Sequence, residues 1–374
     1  MEKLEIIGGK KLQGSINISG SKNASLPILA ATLLANKVTL NNVPQVKDID
    51  TMTELLTSLG SKIYINKNKK KIKIHNYKSN KKVAKYKYVK TMRAGILVLG
   101  SLLSKFGKAK VSLPGGCAIG LRPVNLHIEA LKKMGVKIKI IEGYIYATAN
   151  NGLKGAKISF PKISVGATEN LIIAACKAKG RTILSNCAIE PEVKDLSNFL
   201  IKLGCKIKWL GKRKVQIDGV KNLKDINYNI MFDRIEAVTY MIAAAATNGR
   251  VSIKNIQPKI IDKEILLLKK IGVKIIEKKN KITIISSKSL KGINIKTSPY
   301  PGFPTDLQAQ LMVLMCKAKN QSIIRENIFE NRFMHVPELN RMGAKIKIKG
   351  NQAIIQGKKK LNGAELMATD LRAS

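Results

Sequence analysis

A pattern of about 70 residues recurs five times in this chain, and no other feature constrains its fold as strongly. Each copy reads as a short strand, a connection, a helix, a glycine and a Lys/Ile-rich strand. The first is VTLNNVPQVKDIDTMTELLTSLGSKIYI and the fourth VSIKNIQPKIIDKEILLLKKIGVKIIE. The helix-closing glycines are Gly60, Gly135, Gly204, Gly272 and Gly343, separated by 75, 69, 68 and 71 residues. Glycine closes a helix by taking the left-handed conformation without steric cost. A second helix, apolar almost all round, precedes each copy, in stretches such as SKNASLPILAATLLA and FPTDLQAQLMVLMCKA. Helices of that kind belong inside a core. The fold class expected is α/β, each repeat supplying one buried helix, one amphipathic helix and several strands. A chain of 374 residues has room for about two domains of such repeats.

The sequence closes on AELMATDLRAS, which by position reads as the first turn of a sixth buried helix. A sixth closing glycine would fall at about residue 413. The expectation is a chain with its sixth repeat largely missing.

The formal net charge is +44, which on its own resembles a nucleic-acid binder. The lysines, however, alternate with isoleucine in strands such as KKKIKIHNYK and GAKIKIKG, so they read as solvated outer faces. A single Trp and 5% aromatic residues leave little for base stacking. No nucleic-acid partner is expected, although acidic small substrates would be drawn to such a surface. The five cysteines, Cys117, Cys176, Cys187, Cys205 and Cys316, form no CxxC pair, so neither zinc nor a disulfide framework is supported. All but Cys117 read as core. The start MEKLEIIGGK is no signal peptide. The apolar runs fall far short of the roughly 20 residues that span a bilayer. A soluble, cytoplasmic protein with no membrane partner is expected.

Three stretches carry candidate chemistry. ISGSKNASLP places Lys22 and Asn23 at the mouth of a helix, where free N–H groups and a lysine attract anions; an ordinary Ser/Asn cap accounts for it equally. SLPGGCAIGLRPVN sets Cys117 among Gly115, Gly116 and Gly120, followed by Arg122. A thiol on a bendable loop serves as acid, base or nucleophile, and Arg122 offers a fork for phosphate or carboxylate; the alternative is a tight turn with a small filler. SPYPGFPTDLQAQ sets Asp306 one residue into a helix. Capping explains Thr305–Asp306, and Thr168–Glu169, Asp233 and Thr369–Asp370 open other helices in the same way. Arginine is scarce, with ten in the chain, so Arg93, Arg122, Arg332 and Arg372 at helix mouths or loops mark places where a planar fork is needed. His75, His127 and His335 lack metal spacing and read as structural.

The stretches SGSKNASLP, LPGGCAIGLRPV, SVGATEN, YPGFPTDLQAQ, ENIFENRFMHVPEL and ATDLRAS together resemble the UDP-N-acetylglucosamine enolpyruvyl transferases, the 1-carboxyvinyltransferases of the EPSP synthase-like superfamily. The resemblance runs in order along essentially the whole chain. It implies two inside-out α/β barrels built from βαβαββ repeats, one at 22–229 and the other at 1–21 with 230–374, and an active site in the cleft between them. The implied reaction moves enolpyruvyl from phosphoenolpyruvate to the 3′-hydroxyl of UDP-N-acetylglucosamine, releasing phosphate, as the first committed step of peptidoglycan synthesis. By resemblance Cys117 is the general acid and the target of fosfomycin, and Asp306 accepts the hydroxyl proton. Lys22, Asn23, Arg122 and Arg372 hold phosphoenolpyruvate. Asn23, Arg93, Arg122, Pro123, Val124, Asn125, Leu126, Lys162, Ile163, Ser164, Val165, Asp306 and Ile328 contact the UDP-sugar. No metal or organic cofactor is implied, and a monomer is expected. Two departures stand out: Asn125 replaces the aspartate usual in that motif, and a further arginine of the family lies beyond Arg372. An inactive remnant that at most binds the UDP-sugar is the alternative expectation.

Overall fold

The computed structural model describes residues 3–77, 80–115, 124–285, 289–357 and 360–368. Its helices are α1 (Lys22–Ala31), α2 (Lys47–Ser58), α3 (Tyr86–Val89), α4 (Val98–Phe106), α5 (Asn125–Lys133), α6 (Val165–Ala175), α7 (Pro191–Leu203), α8 (Arg234–Ala246), α9 (Asp262–Ile271), α10 (Gln308–Cys316) and α11 (Val336–Arg341). Helices α1, α4, α6, α8 and α10 are the apolar members of the five repeats. In α6 every residue from Ala167 to Ala175 is buried, as is every residue of α1 from Ala24 onward. The amphipathic members are α2, α5, α7, α9 and α11. The five closing glycines all lie in the left-handed region, with φ between 86° and 109°.

Each repeat builds a four-stranded sheet of one constant plan. A strand pairs antiparallel with the second arm of a hairpin on one side and parallel with an edge strand on the other. In the first repeat Lys37–Asn41 pairs with Lys71–His75, which pairs with Lys62–Asn66. The alternation expected from the Lys/Ile pattern is present: Ile72 and Ile74 are buried while Lys73 between them is exposed. Buried side chains of this size contribute about 1.5–3 kcal/mol each, so the inward isoleucines and the apolar helices carry much of the stability.

The chain divides into two compact units. The first begins at Ser19 and runs to Phe232; the second combines the residues up to Ile18 with those from Asp233 onward. In the first unit α1, α4 and α6 pack on one another inside, and the sheets of repeats one to three lie around them. In the second unit α8 packs on α10, tied by Gln310 Nε2 donating to Thr239 Oγ1 at 3.2 Å.

The edge strands show what the repeat pattern does not reveal. Within repeats two, three and five the edge strand just precedes the buried helix: Val83–Ala84, Lys157–Ser159 and Asn294–Lys296. Gln13–Asn17 precedes α1 in the chain, yet it pairs with Arg250–Lys254 of the fourth repeat. Ile226–Asn229 precedes α8 and pairs with Lys37–Asn41 of the first repeat. The two strands have exchanged sheets.

A second regularity concerns the end of each repeat's first strand. In repeats one, three and four an asparagine in the left-handed region follows it: Asn42, Asn186 and Asn255, with φ of 56°, 56° and 61°. Each side chain donates to the carbonyl just past the edge strand: Ile230 at 3.0 Å, Phe160 at 2.8 Å and Ile18 at 3.3 Å. The following residue, Val43, Cys187 or Ile256, then bonds the hairpin turn. In repeats two and five this extra residue is absent, and Leu113 and Glu326 bond the turn directly.

Of the stretch expected to open a sixth buried helix, 364–368 are exposed and carry no helix, and the rest lies outside the described residues. Two expectations need correction. Asp306 lies one residue into a 3-10 turn, Thr305–Leu307, that leads into α10; the cap positions belong to Pro304 and Leu307, and Arg332 donates to Asp306. Thr168–Glu169 lies inside α6, whose cap is Ser164, accepting from Ala167 N at 3.3 Å. Asp233 does cap α8, accepting from Ile235 N and Glu236 N. Thr369–Asp370 lies outside the described residues.

Candidate active site

The expected site residues fall into two sets, one in each unit. In the first unit Ser21 caps α1 by accepting from Ala24 N at 3.2 Å, which opens the helix at Lys22 and Asn23. Lys22 Nζ lies 2.9 Å from Asp48 Oδ2 in the first turn of α2, both side chains partly buried. Asp48 was not anticipated; only the fold brings α2 beside α1.

A second cluster of the first unit gathers around Asn170. Its Oδ1 accepts from Gly100 N at 2.8 Å, and its Nδ2 donates to Ile96 O at 3.5 Å and faces His127 Nδ1 at 2.9 Å. Because the amide oxygen is taken, the amide nitrogen is the donor and His127 Nδ1 the acceptor, which leaves the imidazole proton on Nε2. Burial, with the nearby charge of Arg93, lowers the His127 pKa to about 4, so the ring is neutral at pH 7. One side chain thus joins the turn that starts at Arg93 (Arg93–Leu97), α5 behind Val124, Asn125 and Leu126, and α6 behind Ser164 and Val165. Asn125, Lys162 and Val165 are exposed, Ile163 and Val124 half-buried and Leu126 buried. The described contacts from Arg93 to Val165, spread over about 70 residues of sequence, thus lie on elements held together by this one side chain.

Behind them lies an acidic cluster that sequence reading missed. Burial raises Glu169 well above the usual carboxyl range, and the charges of Glu192 and Glu190 add to it. Asp195 is raised to about 6 by burial, although Tyr228 Oη donates to its Oδ1 at 2.7 Å and Met231 N to its Oδ2 at 3.2 Å.

In the second unit Arg332, buried at 6% exposure, donates from Nη1 to Asp306 Oδ1 at 2.8 Å and to Thr305 Oγ1 at 3.4 Å. Thr305 Oγ1 donates in turn to Glu326 Oε2 at 2.8 Å. Glu326 Oε1 accepts from Ile328 N at 2.8 Å and Phe329 N at 3.2 Å. Asp306 and Ile328, 22 positions apart, are therefore fixed by one network. Of the arginines marked by scarcity, Arg332 is placed within it. Cys117, Arg122, Pro123 and Arg372 lie outside the described residues.

The EPSP synthase (3-phosphoshikimate 1-carboxyvinyltransferase) family matches residues 6–374. The chain belongs to the EPSP synthase family. Within that family it is 68% identical, over 375 residues, to the UDP-N-acetylglucosamine 1-carboxyvinyltransferase of Pelagibacter ubique (strain HTCC1062), covering 100% of this chain and 89% of that protein. The enzyme of the same name from Geotalea uraniireducens (strain Rf4) is 52% identical over 378 residues, with the same coverage. Among solved structures, the enolpyruvyl transferase NikO from Streptomyces tendae superposes with a TM-score of 0.83 at 20% identity, covering 94% of this chain and 83% of that one. That likeness shows the EPSP synthase fold. The expectation of a truncated, inactive remnant is not supported, because these relatives match along 100% of this chain. Among the described residues no helix is long and apolar enough to cross a membrane.

Proposed function

We propose that this chain transfers the enolpyruvyl group of phosphoenolpyruvate to the 3′-hydroxyl of UDP-N-acetylglucosamine, with release of phosphate, for peptidoglycan synthesis. The observation that carries the reading is 68% identity, along the whole chain, to a UDP-N-acetylglucosamine 1-carboxyvinyltransferase. The roles in this reading follow the resemblance, residue by residue. Lys22, Asn23, Arg122 and Arg372 take the phosphate and carboxylate of phosphoenolpyruvate. Arg93, Arg122, Pro123, the start of α5 from Val124 to Leu126, the segment Lys162–Val165, and Ile328 take the UDP-sugar. Asp306, oriented by buried Arg332, accepts the hydroxyl proton as that oxygen bonds C2 of phosphoenolpyruvate. Cys117 gives a proton to the methylene carbon. The adduct then loses a methyl proton, the C2–O bond to phosphate breaks and the double bond returns. Two polyanions in one site require fixed cations, and positioned donors are worth most where water is excluded. The protein acts in the cytoplasm as a monomer in this reading.

The test is phosphate release with both substrates, with each omitted in turn, and with fosfomycin added. Release that needs both substrates and stops with fosfomycin supports the reading; release without the UDP-sugar, or none at all, sinks it. Asp306→Asn removes the proton acceptor and lowers kcat by about 10²–10⁴.

A further inference from the structure

Glu326 is buried, at 3% exposure, immediately past the first strand of the fifth repeat. Its carboxylate accepts four hydrogen bonds. Oε1 takes the hydroxyl of Thr297 at 2.8 Å and the N–H groups of Ile328 and Phe329 at 2.8 and 3.2 Å; Oε2 takes the hydroxyl of Thr305 at 2.8 Å. Thr297 in turn accepts from Asn327 N at 2.9 Å. Among the described residues no Lys, Arg or His lies within ion-pair distance of it. A carboxylate buried with no cation beside it loses its hydration, and the four donors offset that loss.

Three other repeats close the same sheet corner without a charge. There a neutral asparagine makes one bond to the carbonyl past the edge strand. The fifth repeat places an acid at this corner, and the acid reaches further than the corner requires. One oxygen fixes the backbone of Ile328. The other fixes the hydroxyl of Thr305, which also accepts from the Arg332 that holds Asp306.

We infer that Glu326 is a positioning residue that sets the UDP-sugar contact at Ile328 and the proton acceptor Asp306 in one register. The inference rests on the function proposed above for those two residues. Glu326 touches neither substrate. Glutamine in its place accepts at one neutral oxygen only, which weakens the Ile328 and Phe329 bonds, and its amide nitrogen meets Thr305 as a donor, which reverses and weakens the bond that anchors the Thr305–Arg332–Asp306 chain. Thr305→Val cuts the same chain from the other side and leaves the Ile328 and Phe329 bonds intact.

The experiment compares wild type, Glu326→Gln, Glu326→Asp and Thr305→Val by steady-state phosphate release, by calorimetric titration with UDP-N-acetylglucosamine and by thermal unfolding. Glu326→Gln is expected to lower kcat about tenfold or more and to raise the UDP-sugar KM about tenfold, with the phosphoenolpyruvate KM within about twofold. Thr305→Val is expected to lower kcat while leaving the UDP-sugar KM in place. Glu326→Asp retains the charge and recovers part of the kcat lost in the glutamine variant. Equal changes in both KM values, or a loss of activity that tracks only the folded fraction, would overturn the inference, as would a Thr305→Val enzyme with wild-type kcat. Should Glu326→Gln fail to fold, Thr305→Val alone decides the Asp306 branch. Should wild type release no phosphate, the proposed function fails separately. The titration still judges the inference, which falls if Glu326→Gln binds the UDP-sugar as wild type does.

Discussion

Repeats one, three and four end their first strand on a left-handed asparagine, and repeats two and five do not. The first group makes one local bond per corner and then returns to the common plan. In the second group the chain turns without the extra residue, and the next stretch is free to differ. Repeat two runs from Leu113 into the glycine-rich segment that carries Cys117. Repeat five runs from Glu326 into the segment of Ile328 and Arg332, beside Asp306. The residues expected to act as acid and base, Cys117 and Asp306, thus follow or flank the two corners that lack the asparagine. Three corners use a single neutral lock, while the fifth takes a buried acid with four partners.

The comparison breaks most visibly at Gly20. A Cβ there would lie 1.6 Å from Asn42 O, inside the lock of the first repeat. Gly20→Ala is expected to destabilise the first unit by about 3 kcal/mol or more, seen as a lower urea midpoint. An unchanged midpoint would show that the corner yields.

The same sheet's edge strand depends on Asp195, which receives Tyr228 and Met231. Its pKa is raised to about 6, chiefly by burial. An acid raised on folding contributes stability that is complete below its unfolded value near 4 and is lost as pH rises through about 6. The contribution amounts to up to about 3 kcal/mol by pH 7. Denaturant unfolding of wild type across pH 4–7 should show that decline, and Asp195→Asn should flatten it. An identical slope in the variant would assign the decline to other groups.

The smallest effects sharpen the comparison. Asn42→Ala loses one bond and leaves a β-carbon at φ 56°, for about 1–2 kcal/mol. Asn42→Gly loses the bond but relieves the backbone, and should cost less. Neither should alter the KM of either substrate, whereas Glu326→Gln should. If Asn42→Ala shifts the UDP-sugar KM, locks and site corners are not separate.

Much of the architecture was legible in the sequence. The five glycines and the Lys/Ile alternation encode local geometry, and the structure places both as read. The caps were less legible, because Thr–Asp pairs resemble caps wherever they fall. Ser164 starts α6 four residues before Thr168, and Asp306 turns to Arg332 because a buried guanidinium is a stronger partner than a helix N–H. The exchanged edge strands, Asp48 and Glu326 left no local signal. Each depends on a partner tens to hundreds of positions away, and periodicity carries no information about such pairings.

The exchange also sets a timetable for synthesis. The strand Lys37–Asn41 leaves the ribosome 189 residues before its parallel neighbour Ile226–Asn229. At ordinary elongation rates that edge stands open for roughly 10–40 s. The exposed Lys37 at its head, repellent to the lysine-rich strands of the other repeats, helps keep the waiting edge from finding the wrong partner.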